Sequence, residues 1–163
     1  MNESQGVEET VKGQLIEESC IFLDVDVQTF EEVIQLVGTQ FIASGIAKES
    51  YTQAVIEREK VYPTGLPASG HNIAIPHTDS QHVLRPGIAV VVTKAPIEVS
   101  MMGSPEMKLK SQLFFPLAME HPKKQLDLLR QLMKFFQDEE KLDRIYRAQR
   151  KEDVLQVVKD ITL

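Results

Sequence analysis

Apolar residues recur at helical intervals towards both ends of this chain, whereas its middle carries the unbroken run Ile88, Ala89, Val90, Val91, Val92. A continuous, largely β-branched run of that kind suits a buried strand. Ile21 to Val25, Ile73 to Ile75, Val99 to Met102 and Leu113 to Met119 read as further strands, the last weakened by Pro116, which lacks a ladder donor. Thr29 and Glu32 have capping-box spacing, and Phe30, Val33, Ile34, Val37 and Phe41 follow on one helical face before Gly45 stops the helix. Ser50 and Gln53 repeat the spacing ahead of a second helix with Tyr51, Ala54 and Val55, ended by Pro63. Pro122 suits the first position of a third, with Leu126, Leu129, Leu132, Met133 and Phe136 on its apolar face. Val154, Leu155, Val158 and Ile161 mark a last amphipathic segment. The pattern predicts one α/β domain, a central mixed sheet flanked by helices, over residues 13–163. The Glu-, Gln- and Ser-rich stretch 1–12 is expected to be a flexible tail.

At 163 residues the chain is long enough to bury a full core without disulfides. No apolar run reaches the roughly 20 residues of a membrane span. A net charge of −6 argues against a phosphate-backbone partner, so no nucleic acid is expected. The one cysteine, Cys20, lies in an apolar stretch, and the acidic amino terminus has no signal-peptide pattern, which points to the cytoplasm.

Chemistry has few places to sit. Of the four histidines, His71, His77 and His82 cluster and His121 stands apart, but no pair has the spacing of helical zinc ligands, and no metal or other cofactor is expected. Neither GxxxxGK[ST] nor GxSxG occurs, which disfavours direct use of ATP and serine hydrolysis. The irregular stretch YPTGLPASGHN is loop chemistry of a length that is usually functional, and it leads into Ile73, Ala74, Ile75, Pro76, His77. A proline-fixed strand end holds the His77 imidazole in place yet accessible; on spacing alone, a histidine that merely bonds its neighbours fits equally well.

Glu57-Arg58-Glu59, Pro63-Thr64-Gly65 and Ala74-Ile75-Pro76-His77-Thr78, in that order, resemble the signature of the fructose- and mannitol-type enzyme IIA domains of the bacterial sugar phosphotransferase system. YPTGLP and HTDSQHVLRPGIAVVV look most like the galactitol-specific branch. The resemblance, from about Gln14 to the carboxyl terminus, implies a phosphocarrier. One histidine, at the position of His77, takes a phosphoryl group from phospho-HPr and hands it to a cysteine of enzyme IIB, which serves a membrane-embedded IIC. Arg58 matches the phosphate-contacting arginine, with a surface residue paired with Glu57 or Glu59 as the alternative. His121 matches a second active-site histidine and would otherwise be a helix cap. Thr64 and Thr78 are candidate phosphoryl-binding hydroxyls, and His71 and His82 are expected to be peripheral. GLPASGHNIAIPH departs from the tighter glycine loop of many relatives, which leaves open the loop amides that approach the phosphate. Met101, Met102 and Met107 read as strand filling, with a partner surface as the alternative. Galactitol is the expected cargo of the system; a regulatory IIA-like domain and a module without phosphotransfer are the alternatives.

Overall fold

A computed structural model of the chain describes residues 15–161, so the tail expected over residues 1–12 lies outside the described residues. Strand β1 (Ile21–Val25) is followed by α1 (Phe30–Ala43) and α2 (Tyr51–Val61), then by the short strands β2 (Gly65–Pro67), β3 (Asn72–Ala74) and β4 (Gly87–Ile88). The long strands β5 (Val90–Met101) and β6 (Ser104–Phe114) form a hairpin, and β7 (Leu117–Ala118) leads into α3 (Pro122–Phe135), α4 (Glu139–Arg147) and α5 (Lys151–Val158). The main sheet has the order β1-β5-β2-β3-β6, with β5 also paired to β6. β1 and β2 run parallel to β5, β3 runs parallel to β6, and the β2–β3 and β5–β6 pairs are antiparallel. β4 and β7 form a separate antiparallel pair.

The apolar run at Ile88–Val92 is explained by two cores. Side chains alternate across a strand. Ile88, Val90 and Val92 therefore join Leu128, Leu132, Phe136, Leu142, Ile145 and Val154 of the carboxyl-terminal helices. Ala89 and Val91 join Val33, Ile34, Val37, Phe41, Tyr51 and Val55 of α1 and α2. With helices on both sides, neither face of β5 near its start needs a polar residue.

Several local expectations hold. The Thr29 hydroxyl accepts from the Glu32 amide at 3.2 Å, and Gly45, with φ of 70°, follows the end of α1. Others are corrected. Ser50 makes no cap hydrogen bond; its hydroxyl lies 2.8 Å from His82 Nδ1 instead. The strand expected at Val99 is the end of β5, and Pro116 falls in the gap between β6 and β7, where its missing N–H breaks no ladder. YPTGLPASGHN is not wholly irregular, because Gly65–Pro67 pairs with β3. Leu126 and Met133 of α3 are exposed rather than core, and Met102 and Met107 are exposed on the β5–β6 hairpin rather than filling a strand interior. Helix α4, EEKLDRIYR, has too few apolar residues to announce itself; it buries only Leu142 and Ile145 and is capped by Asp138, which accepts from Lys141 N.

β2 meets β5 at Gly65 because glycine leaves room: a Cβ there would lie 2.6 Å from the Ser100 carbonyl oxygen. The Ser100 backbone cannot yield as a side chain can. Gly65→Ala is expected to lose about 1 to 3 kcal/mol, the scale of overpacking, read as a lower denaturant midpoint with an unchanged m-value.

Candidate active site at the β3 terminus

The stretch from Ala74 to Pro76 is pinned along its length. Phe115 N donates to the Ala74 carbonyl and Leu117 N to the Pro76 carbonyl, each at 2.8 Å, and Ile75 N donates to the Thr64 carbonyl at 3.3 Å. Ile75 and Pro76 are buried, so the backbone that delivers His77 is held by packing as well as by hydrogen bonds. Helix α2 is fixed against the same region. The Tyr51 hydroxyl, at its start, donates to the Leu117 carbonyl at 2.7 Å while its ring meets Phe41 edge-on. Lys48 N donates to the His82 carbonyl, which ties the loop beyond His77 to the same helix start.

His77 is half-buried and its Nδ1 lies 2.7 Å from the Ile75 carbonyl oxygen. A carbonyl only accepts, so Nδ1 carries the proton and Nε2 keeps its lone pair. Burial holds the imidazole pKa below its usual value and the Arg58 charge adds to that; the Ile75 carbonyl and Asp79 act in the opposite sense. The ring is therefore a neutral nucleophile near pH 7.

Arg58, in the last turn of α2, is half-buried with its guanidinium 5.2 Å from the centre of the Tyr62 ring. Among the described residues it forms no ion pair. Glu57 faces Lys60 at 3.8 Å, and Glu59 is taken up by Thr64, whose amide and hydroxyl donate to its two carboxylate oxygens at 2.8 and 2.9 Å. The alternative of a surface arginine paired with Glu57 or Glu59 is thus not what the fold builds. Its charge is left to act on His77.

Thr64 is 1% exposed and Thr78 is also buried. The Thr64 hydroxyl is committed to Glu59. His121 occupies the N-cap position of α3 with an extended backbone, an exposed side chain and no cap hydrogen bond. It follows β7, whose Leu117 is bonded to Pro76, and among the described residues no hydrogen bond joins it to His77. The structure brings Arg58, Thr64 and His77 together, whereas among the described residues no hydrogen bond or ion pair links His121 to them. His71 lies elsewhere, 3.4 Å from Asp143 and tilted against Tyr146. Among the described residues no group of three or more His, Cys, Asp or Glu is arranged to hold a metal ion.

A sequence profile of the phosphoenolpyruvate-dependent sugar phosphotransferase system, EIIA 2, matches residues 14–161. The chain belongs to this EIIA 2 family. As a family member it is a phosphotransferase-system component of the fructose and mannitol type. The mannitol-specific phosphotransferase enzyme IIA component of Staphylococcus aureus (strain N315) is 31% identical over 150 residues, covering 90% of this chain and 96% of that protein. The galactitol-specific EIIA component of Escherichia coli (strain K12) is 30% identical over 99 residues. That match covers 61% of this chain and only 65% of the relative's length. Among solved structures, the IIA mannitol crystal structure from Escherichia coli superposes with a TM-score of 0.72 at 24% identity, over 87% of this chain and 97% of that one. IIA in the complex of enzyme IIAMTL and phosphorylated enzyme IIBMTL from the same species gives 0.71 at 24% identity, over 88% and 98%. These superpositions show the mixed α/β single-domain fold, a central sheet flanked by helices. No described helix of this EIIA chain is long and apolar enough to cross a membrane.

Two residues beside the site escape a reading of the sequence. Tyr62 stands in the loop run, yet its ring supports Arg58. Glu59 sits next to that arginine in sequence, so an ion pair is the natural expectation; the bonds to Thr64 depend on how α2 meets β2. The Glu59 carboxyl is pushed up from 4.5 to about 7, chiefly by burial, with the Thr64 bonds and Arg58 opposing. A carboxyl whose folded pKa is raised contributes stability that is full below its unfolded pKa and lost as pH rises through the folded value. From this group alone, unfolding free energy is expected to fall by roughly 2 kcal/mol between about pH 5 and pH 8. Glu59→Gln should remove that component, seen as a flatter profile of denaturant midpoint against pH.

Proposed function

We propose that this EIIA protein is a phosphocarrier in which His77 Nε2 accepts a phosphoryl group from phospho-HPr and passes it to a cysteine of enzyme IIB, supporting uptake and phosphorylation of a sugar alcohol. The observation that carries this reading is the Nδ1–H bond from His77 to the Ile75 carbonyl, which leaves Nε2 unprotonated and under the charge of Arg58, a residue without an ion pair among the described residues. In the first step the Nε2 lone pair attacks phosphorus. The donor N–P bond breaks, and its electron pair returns to the donor imidazole. In the second, the IIB thiolate attacks phosphorus, the His77 N–P bond breaks, and Nε2 regains its lone pair. Such transfers need alignment and charge compensation more than proton movement. Arg58 supplies the compensation through two guanidinium donors. Thr78 follows the histidine and offers its hydroxyl to the phosphoryl group, while Thr64, its hydroxyl held by Glu59, supports the phosphoryl-binding set from behind.

Galactitol is the proposed cargo of the whole system, which operates in the cytoplasm on this reading and reaches the membrane only through IIC. Both galactitol- and mannitol-specific components are among the relatives, so the polyol class has the broader support. The test is incubation with phosphoenolpyruvate, enzyme I and HPr, followed by peptide mapping. Acid-labile phosphate on His77 that IIB discharges is the expected result, and a chain that takes up none overturns the proposal. Loss of galactitol phosphorylation, but not mannitol phosphorylation, in cells lacking the chain would identify the cargo.

His121 enters here as a donor to the phosphoryl oxygens rather than as a second acceptor. His121→Ala is expected to take phosphate from HPr normally but to pass it to IIB about ten-fold more slowly, the value of one hydrogen bond to a charged group. His121→Gln keeps a donor and should recover part of that loss. Equal single-turnover rates in all three proteins would reduce His121 to its place at the start of α3.

A further inference from the structure

Thr64 is gripped at three atoms, and all three bear on His77. Its amide and hydroxyl donate to opposite oxygens of Glu59 at 2.8 and 2.9 Å. Its carbonyl accepts from Ile75 N at 3.3 Å, and Ile75 in turn presents its own carbonyl to His77 Nδ1 at 2.7 Å. The β2–β3 ladder continues the same register, with Gly65 opposite Ala74. A relay of hydrogen bonds therefore runs from the end of α2 through two backbone segments to the imidazole.

A carboxyl is a costly group at this place. Burial disfavours its charge, and a glutamine would fill the same volume without that penalty. What the carboxylate offers is a second acceptor. Two bonds from one residue to two oxygens fix the rotation of Thr64 as well as its distance, which a single acceptor does not. The adjoining residue, Arg58, acts on the same imidazole, so one helix turn sets both the position and the charge around His77.

We propose that Glu59 is a positioning residue for phosphoryl transfer: by holding the Thr64 amide and hydroxyl it keeps the Ile75 carbonyl on His77 Nδ1 and so presents Nε2 as the reacting nitrogen. This rests on His77 being the phosphoryl acceptor. The charged groups around Glu59 are Arg58 and Lys60 of its own helix and, across a cleft of about 420 Å³, Glu31 of α1 and Glu98 of β5. Lys60, Glu31 and Glu98 are exposed and solvent-screened. Burial pushes the Glu59 carboxyl itself up to about 7.

The experiment combines ¹⁵N spectra of the His77 ring with steady-state phosphoryl acceptance from phospho-HPr. In the wild type the ring is expected as a single Nδ1–H tautomer, with an inflection near pH 7 in its titration from Glu59, separate from its own at lower pH. Glu59→Ala should mix the tautomers and lower kcat by about 10- to 100-fold with KM for phospho-HPr unchanged. Glu59→Gln, with one acceptor in place of two, should recover only part of the single tautomer and of kcat, and lose the inflection. Thr64→Val, which removes only the hydroxyl donor, should fall between, and together with Glu59→Gln it carries the test if Glu59→Ala does not fold. A wild-type tautomer and kcat in Thr64→Val and in any folded Glu59→Ala, or an inflection that survives Glu59→Gln, overturns the proposal. A wild type that takes no phosphate while Glu59→Ala or Thr64→Val shifts the ring spectrum supports the Glu59 to His77 link and removes the carrier reading instead.

Discussion

His77→Ala takes up no phosphate from phospho-HPr under conditions that saturate the wild type, and its fold survives. The expectation follows from what each other histidine is doing. His71 is held between Asp143 and Tyr146. His82 has Ser50 at Nδ1, 2.8 Å away, and Gln81 at Nε2, 3.2 Å away, so neither nitrogen is offered to a donor. His121 is exposed, and among the described residues it makes no hydrogen bond that would set its tautomer or aim its lone pair. Only His77 combines a directed lone pair, a pKa held down by burial and a neighbouring cation. Losing the imidazole removes one hydrogen bond from a backbone that Phe115, Leu117 and Thr64 already hold, so stability should change by about 1 kcal/mol. The measurement is acid-labile phosphate per chain, with circular dichroism as the control. Stoichiometric incorporation by His77→Ala would move the site to another residue.

Arg58→Ala is expected to slow transfer in both directions by about 2 to 4 kcal/mol, or about 10²- to 10³-fold, the scale of removing one preorganised donor from a site where charge is handled. Arg58→Lys retains the charge without the planar fork and should lie between. The defect should also depend on pH. Arg58 helps to lower the His77 pKa, so its removal lets that pKa rise and converts more of the ring to imidazolium as pH falls. The deficit at pH 6 should therefore exceed that at pH 8, because at pH 8 the imidazole is neutral in both proteins. Single-turnover rates at the two values decide it, and wild-type rates at both would take Arg58 out of the site.

Much of the candidate site was legible because the residues proposed for it are close along the chain or lie in a distinctive order. Pro76 and His77 declare a rigid strand end, and Arg58 ahead of Thr64 and Ala74-Ile75-Pro76-His77 fits one family pattern. The roles of Glu59 and Tyr62 were not legible, since charge adjacency predicts an ion pair and cannot reveal a buried carboxyl bonded to Thr64. Ser50 shows the same limit: its spacing to Gln53 matches a cap, yet His82, from a distant loop, competes for the hydroxyl. The face of α3 was misread at Leu126 and Met133 because periodicity identifies apolar positions, while the neighbouring elements decide how much of that face is covered.

Local patterns were enough for the elements with strong periodicity, the buried character of Ile88–Val92, the turn at Gly45 and the histidine presented after Pro76, because each is set by nearby sterics or by a repeat of side-chain pattern. Only long-range packing decides that two separate cores clasp β5, that Gly65 lets β2 approach the Ser100 carbonyl, and that Glu59 reaches Thr64 while Arg58 stacks on Tyr62. Those outcomes depend on distances between segments far apart in the chain. They are set by how side-chain volumes and unsatisfied backbone groups are reconciled in one packed interior, a constraint that no local pattern carries.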